Sequence, residues 1–152
     1  MSLSRSLWLG LSARATDSTL TDALEALGPH CAEELATAVW IRPVETGLIQ
    51  VMARADGQGA PFCFQESTST RASLRLANGQ TGHALVLGHR AEHCKRVAWL
   101  DARMQDEAFR RGPGAQIVAR LQAAEQQLRA DRRAAAEQTR VEFFTLAREA
   151  GT

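Results

Sequence analysis

The spacing of apolar residues divides the chain into a helical part, a strand-rich part and a second helical part. In residues 4–36, leucines recur at helical spacing, and Asp17 or Thr19 stands where an N-cap is expected. Gly28 and Pro29 mark the end of this pattern. The leucines are Leu7, Leu11, Leu20, Leu24 and Leu27. The pattern predicts a helical lead-in over residues 1–36.

Residues 37–88 change to the composition of strands. The runs 38–42 and 48–54 are rich in β-branched and other apolar residues, and residues 43–47 between them contain Pro43 and Gly47. Residues 56–59 predict a loop, and residues 62–64 predict a short strand after it. This part of the chain therefore predicts several short strands joined by turns.

The clearest local signal in this region is Asn78-Gly79, which lies between two alternating runs and is typical of a two-residue type I′ hairpin. Such a turn fixes which residues of the two strands face each other. The predicted pairs are Leu76 with Thr81, Leu74 with His83, and Ala72 with Leu85. The whole region then predicts an antiparallel meander of four to five strands with one buried face.

This register assigns different chemistry to the two faces of the hairpin. His83 would lie on the apolar face as a core histidine bonded to the backbone. Arg71 and Arg75 would lie on the opposite face against the small residues Gly82 and Ala84. Small residues opposite two arginines leave room, so an acidic or anionic group could lie over that face.

The helical period returns after residue 90 and continues to residue 109, where residues 111–114 (Arg-Gly-Pro-Gly) interrupt it. The apolar stripe of this helix consists of His93, Val97, Leu100 and Met104. We therefore predict one α+β domain over residues 1–152, with the lead-in at 1–36, the meander at 37–88 and helices at 90–150.

Residues 115–150 are also helical in pattern, but residues 129–138 offer no side chain larger than alanine to bury. One unbroken helix would be about 50 Å long, whereas a domain of this size is about 40 Å across. Either the segment bends near Arg132 and Arg133, or its end overhangs the body. An overhanging end that carries Phe143 and Phe144 would be an arm for a partner.

Composition excludes some functions. The 152 residues contain 18 basic and 17 acidic side chains, a net charge of +1, so nucleic-acid binding by a basic surface is not expected. Cys31, Cys63 and Cys94 form no CxxC pair, which favours a reducing compartment. The sequence has neither a signal-peptide pattern nor an apolar run of about 20 residues. We expect a cytoplasmic protein without a membrane span.

The residues that could carry catalysis or bind a metal form weak patterns. His89 and His93 are four residues apart beside Cys94, but structural zinc needs four ligands and catalytic zinc at least three. Gly57-x-Gly59 and Gly79-x-x-Gly82 match neither nucleotide-binding fingerprint and are simpler as turns. We therefore expect no catalytic residue, no metal site and no cofactor bound by this chain.

Polar residues at strand ends are harder to explain. Thr68, Thr70 and Arg71 enter a predicted strand, where polar groups are unfavourable unless they are exposed or hydrogen-bonded. They are either the polar start of an edge strand or a surface that faces a partner or a phosphate. Glu45 with Thr46 belongs to the same class. So does Arg90, because a cation at a helix start opposes the helix dipole.

Several motifs taken together resemble the PhnG family, whose members are subunits of the bacterial carbon–phosphorus lyase core complex. The resemblance covers most of residues 42–149. The motifs are Glu45-Thr46-Gly47-Leu48, Gly57-x-Gly59-Ala60-Pro61-Phe62, Thr68-x-Thr70-Arg71, Gly79, Gly82, Gly88-x-Arg90-Ala91-Glu92-His93, Asp101-Ala102 and Thr139-Arg140-Val141-Glu142-Phe143-Phe144-Thr145. Any one of them alone is weak, but the combination is specific.

The resemblance implies a non-catalytic component that works with the H, I and J subunits and an ABC-type L subunit, chiefly with the I subunit. The complex would use ATP to transfer ribose triphosphate to an alkylphosphonate with loss of adenine. The alternative is an autonomous phosphate-ligand or nucleotide-binding domain. An isolated chain could also associate with itself. The expected partner- or ligand-facing residues are Glu45, Thr46, Thr68, Thr70, Arg71, Arg75, Arg90, Arg140, Phe143 and Phe144.

Overall fold

Residues 3–139, the part of the chain that the computed structural model describes, form helices on one side of an antiparallel sheet. In chain order the elements are α1 (Arg5–Arg14), α2 (Asp17–Glu25), α3 (His30–Thr37), β1 (Val39–Arg54), a 3₁₀ turn (Ala55–Gly57), β2 (Pro61–Arg75), β3 (Thr81–Leu87), α4 (Ala91–Arg103), α5 (Glu107–Arg111) and α6 (Pro113–Gln138). The predicted α+β class is confirmed.

The predicted helical lead-in is confirmed as three short helices. α1 begins after Ser4, whose hydroxyl oxygen accepts a hydrogen bond from the backbone N–H of Leu7. α2 begins after Thr16, whose Oγ1 accepts from the N–H of Thr19 at 3.1 Å. Thr16 is therefore the cap of α2, and the expected caps Asp17 and Thr19 are both wrong, since they lie inside the first turn of the helix.

The sheet contains three strands among the described residues, in the order β1-β2-β3, and the predicted four to five strands are not confirmed. Residues 43–47 do not form a turn but continue β1. Two register shifts, between Trp40 and Arg42 and between Arg42 and Glu45, take up the irregularity there. β1 is an edge strand, which tolerates the missing N–H of Pro43. The predicted short strand at 62–64 is likewise part of the long strand β2.

The hairpin between β2 and β3 is displaced by one residue from the predicted register. Gly79 has a φ of +85°, and the N–H of Leu76 bonds to the carbonyl of Gln80, so the loop spans three residues instead of two. A one-residue shift moves every side chain of a strand to the other face. The observed pairs are Arg71 with Leu85, Ala72 with Ala84, Ser73 with His83, Leu74 with Gly82, and Arg75 with Thr81.

The predicted buried face of β2 is confirmed, since Ala72, Leu74 and Leu76 are buried, but the shift turns β3 over. Gly82 and Ala84 point inward, whereas His83 and Leu85 are exposed on the outer face. The prediction that His83 is a core residue is wrong. The prediction that small residues lie opposite Arg71 and Arg75 is wrong for the same reason.

α4 lies against the inner face of the sheet and forms the centre of the core. The predicted stripe is confirmed, since His93, Val97, Leu100 and Met104 are all buried. Gly82 marks the closest approach between sheet and helix. An added Cβ there would lie 1.9 Å from the carbonyl oxygen of Ala98 and 2.7 Å from the backbone N of Ala102. Only glycine allows β3 to come this near to α4.

α6 continues without a break through Arg132 and Arg133, so the predicted alternative of a bend there is not observed. Its 26 residues correspond to about 39 Å. Ile117, Val118 and Leu121 are buried, but every residue from 126 to 139 is exposed. Arg140, Phe143 and Phe144 lie outside the described residues. Over residues 3–139, no helix has both the length and the apolar character that a membrane span requires.

We predict that Gly82→Ala lowers the free energy of unfolding by about 3 kcal/mol, because the new methyl group collides with backbone atoms of α4 that cannot rotate away. Gly47→Ala in β1 is the matched control. A Cβ at Gly47 meets nothing within 4 Å, so a change within about 0.5 kcal/mol is expected. Urea denaturation of both variants measures the difference. Equal stabilities would contradict the close packing of β3 on α4.

Candidate functional site

The outer face of the sheet, defined by Arg42, Glu45, Arg71, Ser73 and His83, carries a group of charged and polar side chains. Glu45 faces Arg71 across β1 and β2. Its Oε1 accepts from Nη1 of Arg42 at 2.5 Å and from Nε of Arg71 at 2.8 Å. The hydrogen bond from Arg42 is the main reason that the pKa of Glu45 lies below its ordinary value, and the bond from Arg71 acts in the same direction. All three side chains are exposed, so the pairs add little to stability.

The remaining polar groups of the outer face continue toward the hairpin end. The Ser73 hydroxyl lies 2.8 Å from Nδ1 of His83. Arg75 is exposed at the end of β2, opposite Thr81. An open groove of about 420 Å³ runs along this face, between the Glu45 cluster and Leu85. Of the predicted residues, Glu45 and Arg71 are thus in contact on the outer face, and Arg75 lies on the same face without contacting them.

Thr70 lies on the inner face and is completely buried, in contrast to Thr68 and Arg71. Its hydroxyl donates to the carbonyl of Gly88 at 2.6 Å and accepts from the backbone N–H of Arg90 at 3.0 Å. Thr46 is the residue of β1 that pairs with Thr70, and their Oγ1 atoms lie 3.2 Å apart, but Thr46 is exposed. Thr68 is exposed as well. Thr70 therefore fixes the connection between β3 and α4, while Thr46 and Thr68 remain at the surface.

Arg90 directs its guanidinium group back into the chain. Its Nη2 donates to the carbonyl of Ala15 at 2.7 Å, and Nη1 reaches the carbonyl of Ala13 at 3.3 Å. Nε and Nη2 both contact Oδ1 of Asp17, at 3.0 and 2.5 Å. The hydrogen bond from Arg90 lowers the pKa of Asp17. Arg90 thus ties the start of α4 to the α1–α2 connection.

His93 stands behind Arg90 and is buried. Its Nε2 lies 2.8 Å from the carbonyl of Ser12, and its Nδ1 lies 3.0 Å from Nη2 of Arg90. Nδ1 also lies 3.0 Å from Oδ1 of Asp17, which itself accepts from Arg90. A neutral ring with the proton on Nε2 donates to Ser12 and accepts from Arg90, so we assign this tautomer. Burial lowers the pKa of His93, and Arg90 and Arg96 act in the same direction. The Ser12 bond and the Asp17 carboxylate oppose them.

Asp101 is a structural centre that its sequence position alone did not identify. Its carboxylate is completely buried and accepts from Nε and Nη2 of Arg5 at 3.0 and 2.6 Å. It also accepts from the indole N–H of Trp8 at 3.1 Å and from the backbone N–H of His83 at 3.0 Å. An acidic residue beside the apolar stripe of a helix was the available signal, because a buried carboxylate requires such partners.

The described residues offer little reactive chemistry. Burial raises the pKa of Cys31 to about 12 and that of Cys94 to about 11, so both thiols stay protonated near neutral pH. Cys63 is exposed and free. Over residues 3–139 no three His, Cys, Asp or Glu side chains come together as metal ligands. His89 and His93 do not share a site, since His89 is exposed and His93 is buried.

We predict that Thr70→Val lowers the free energy of unfolding by about 2 kcal/mol, because an isosteric methyl leaves the Gly88 carbonyl and the Arg90 N–H without a partner. Thr68→Val, two residues away on the same strand and exposed, should change stability by less than about 0.5 kcal/mol. Chemical denaturation of the pair measures both values. Similar effects of the two substitutions would argue against the internal role of Thr70.

We also predict that the protein loses stability as the pH falls below about 6.5, the ordinary pKa of histidine. The folded state keeps His93 neutral, whereas the unfolded chain binds the proton, so the unfolded state gains protons in this range. Melting temperatures between pH 7.5 and 5.5 should fall less in His93→Gln than in the wild type. His89→Gln, at an exposed histidine, should retain the wild-type slope. A wild-type slope in His93→Gln would refute the assignment.

Comparison with known proteins finds similarity over nearly the whole chain. The family described as phosphonate metabolism protein PhnG matches residues 3–149. The alpha-D-ribose 1-methylphosphonate 5-triphosphate synthase subunit PhnG of Rhizobium meliloti (strain 1021) is 37% identical over 141 residues, covering 91% of this chain and 85% of that protein. These matches confirm the resemblance that the sequence motifs indicated. The chain belongs to the phosphonate metabolism protein PhnG family.

Proposed function

We propose that this chain is a non-catalytic subunit of a carbon–phosphorus lyase complex. In this role it supports the ATP-dependent transfer of ribose triphosphate to an alkylphosphonate, with displacement of adenine, during phosphonate breakdown. The observation that carries the proposal is the similarity over nine-tenths of the chain to a protein named as one subunit of a ribose 1-methylphosphonate triphosphate synthase. ATP is used by the complex, and no cofactor is assigned to this chain. A cytoplasmic location accompanies this role.

The state of the reactive groups supports a non-catalytic role. The buried polar residues Thr70, His93 and Asp101 make hydrogen bonds inside the chain, and none of them is available to a substrate. The thiols of Cys31 and Cys94 are held protonated by burial. Catalysis would then belong to the other proteins of the complex. Among these the I subunit is the expected principal partner, together with the H, J and ABC-type L subunits.

The outer face is the part of the predicted site that we propose to face a partner. Arg71 and Glu45 are exposed there, and Arg75 continues the same face. Such an exposed ion pair contributes little to folding but can fix the orientation of a partner through charge complementarity. Thr46 and Thr68 lie at the surface on the opposite face. The guanidinium group of Arg90 donates its hydrogen bonds to groups within the chain. A partner could contact only the part of this side chain that is exposed, about 24%.

An autonomous ligand-binding domain is the second candidate, and the outer groove is the observation that favours it. The groove of about 420 Å³ contains Arg42, Arg71 and His83, which could meet an anion. Glu45 lies between the two arginines and neutralises part of their charge. A phosphate ligand would have to displace this carboxylate, so the groove suits a protein surface better than a free phosphate.

We predict that the tagged chain, co-expressed with the H, I and J subunits, purifies as a complex with them. Arg71→Ala should reduce the recovered partners by about tenfold while leaving the melting temperature of the isolated chain within about 2 °C. Arg111→Ala is the matched control, because Arg111 is also an exposed arginine in an ion pair but lies on α5. It should leave recovery unchanged.

Two results would contradict the proposed function. The first is a wild-type chain that recovers no partner subunit under conditions in which the partners are folded. The second is calorimetric binding of ATP or methylphosphonate by the purified chain alone at micromolar affinity, or turnover of either compound. That second result would establish the autonomous ligand-binding domain instead.

A further inference from the structure

The long hairpin of β1 and β2 extends past the rest of the sheet. β3 pairs with β2 from Ser69 to Arg75, so within residues 3–139 the segments 48–54 of β1 and 61–68 of β2 pair only with each other. We call these two segments the ribbon. Seven residues of extended chain make it about 24 Å long. No residue of the ribbon is buried, because neither the helices nor the third strand reach it.

The ribbon concentrates apolar surface that water would otherwise disfavour. Five of the ten exposed large hydrophobic side chains in the described chain lie on it, with Leu48 67% and Phe64 64% exposed. The others are Val51, Met52 and Phe62. The only acidic or basic residues in its strands are Arg54 at the tip and Glu66 near the base. Between these two residues the ribbon therefore carries no charge and exposes several large apolar side chains, and such an exposed apolar patch is typical of an interaction site.

Both faces of the ribbon carry apolar side chains. On β1, Leu48 and Met52 share one face with the polar Gln50, which pairs with Glu66, whereas Ile49, Val51 and Ala53 lie on the other face. An isolated two-stranded ribbon is only marginally stable in water. A ribbon with apolar side chains on both faces therefore calls for an occupant that covers both of them.

This two-sided character distinguishes between the candidate occupants. Pairing of the free β1 edges of two copies would extend the sheet and leave both faces bare. Stacking of two copies would cover one face of each. A cleft in another protein covers both faces at once. Its walls must be apolar and uncharged, because between Glu66 and Arg54 the ribbon offers no charge to pair.

We propose that the ribbon inserts into an uncharged apolar cleft of a partner subunit and is the main docking element of this chain. This proposal rests on the proposed function, since it assumes that the chain is a subunit.

The ribbon has 15 residues in its strands, about half of the 20–30 that a stable interface uses on each side. The outer face adjoins its base, where the exposed Leu87 faces Ser69, and extends the contact. The outer edge of β1 from residue 46 to 51 has no strand partner among the described residues, carries no charge or proline, and can add a strand from the cleft wall.

The test introduces a charge into the ribbon of the co-expressed complex. Phe64→Asp should reduce recovery of the partner subunits by about tenfold or more, because the carboxylate would be buried without a partner. Leu128→Asp is the matched control, since Leu128 is also an exposed large hydrophobic residue (39%) but lies on α6. It should change recovery by less than about twofold. Melting temperatures of the isolated chains verify that both variants fold.

A second variant tests whether Phe64→Asp lowers recovery only because the aspartate disturbs the hairpin. Phe64→Thr keeps a good strand former and should still reduce recovery clearly, with an unchanged melting temperature. The ribbon proposal is overturned if the Phe64→Asp and Phe64→Thr variants recover the partner subunits as well as the wild type does. Recovery of the partners by the wild-type chain tests the proposed function separately, so the two proposals can fail independently. Light scattering of the isolated chain gives the other refuting outcome: a wild-type dimer that Phe64→Asp converts to a monomer, with assembly unaffected, would identify a second copy as the occupant.

Discussion

The buried carboxylate of Asp101 is the interaction on which the arrangement of helices and sheet depends. It joins three elements, because it sits on α4 and accepts hydrogen bonds from Arg5 and Trp8 of α1 and from the backbone of β3 at His83. It can reach β3 only because Gly82 has no side chain. A buried charge without its partners is strongly destabilising, so α1 and β3 must both be in position.

This constraint divides the sheet into two parts with different properties. Where β3 is present, the inner face packs on α4, and Thr70, Arg90 and His93 reinforce the contact with hydrogen bonds. Beyond β3, the ribbon receives no support from the core. The core thus uses a few hydrogen-bonded polar groups to hold its elements together, while large apolar side chains are left exposed on a protruding element. That distribution is expected of a subunit whose interface covers such side chains.

The sequence predicted most of the fold, and its failures have physical causes. Apolar periodicity identified the helical parts and the buried stripe of α4, since burial there follows a single period. It missed that the helical pattern expected to continue to residue 109 is interrupted, because α4 ends at Arg103 and α5 begins at Glu107. The register of the second hairpin was wrong because Asn78-Gly79 is compatible with a two-residue turn and with a three-residue loop ending at Gly79. The choice depends on the packing of Gly82 against α4, a contact between residues distant in the chain. Strand number was overestimated because Pro43 and Gly47 look like a turn but lie within a bulged edge strand.

The sequence indicated which residues belong to the candidate site, but not which of them are buried inside the chain and which are exposed at the surface. Thr68 and Thr70 are equally polar in sequence, yet the register and the packing of α4 leave one exposed and bury the other. No pattern in the sequence shows that β3 ends before the tip of the long hairpin, and that difference in strand length is what exposes Leu48 and Phe64. Because exposure on the ribbon follows from the lengths of neighbouring strands, an apolar surface for a partner can arise from residues that would otherwise be counted as core.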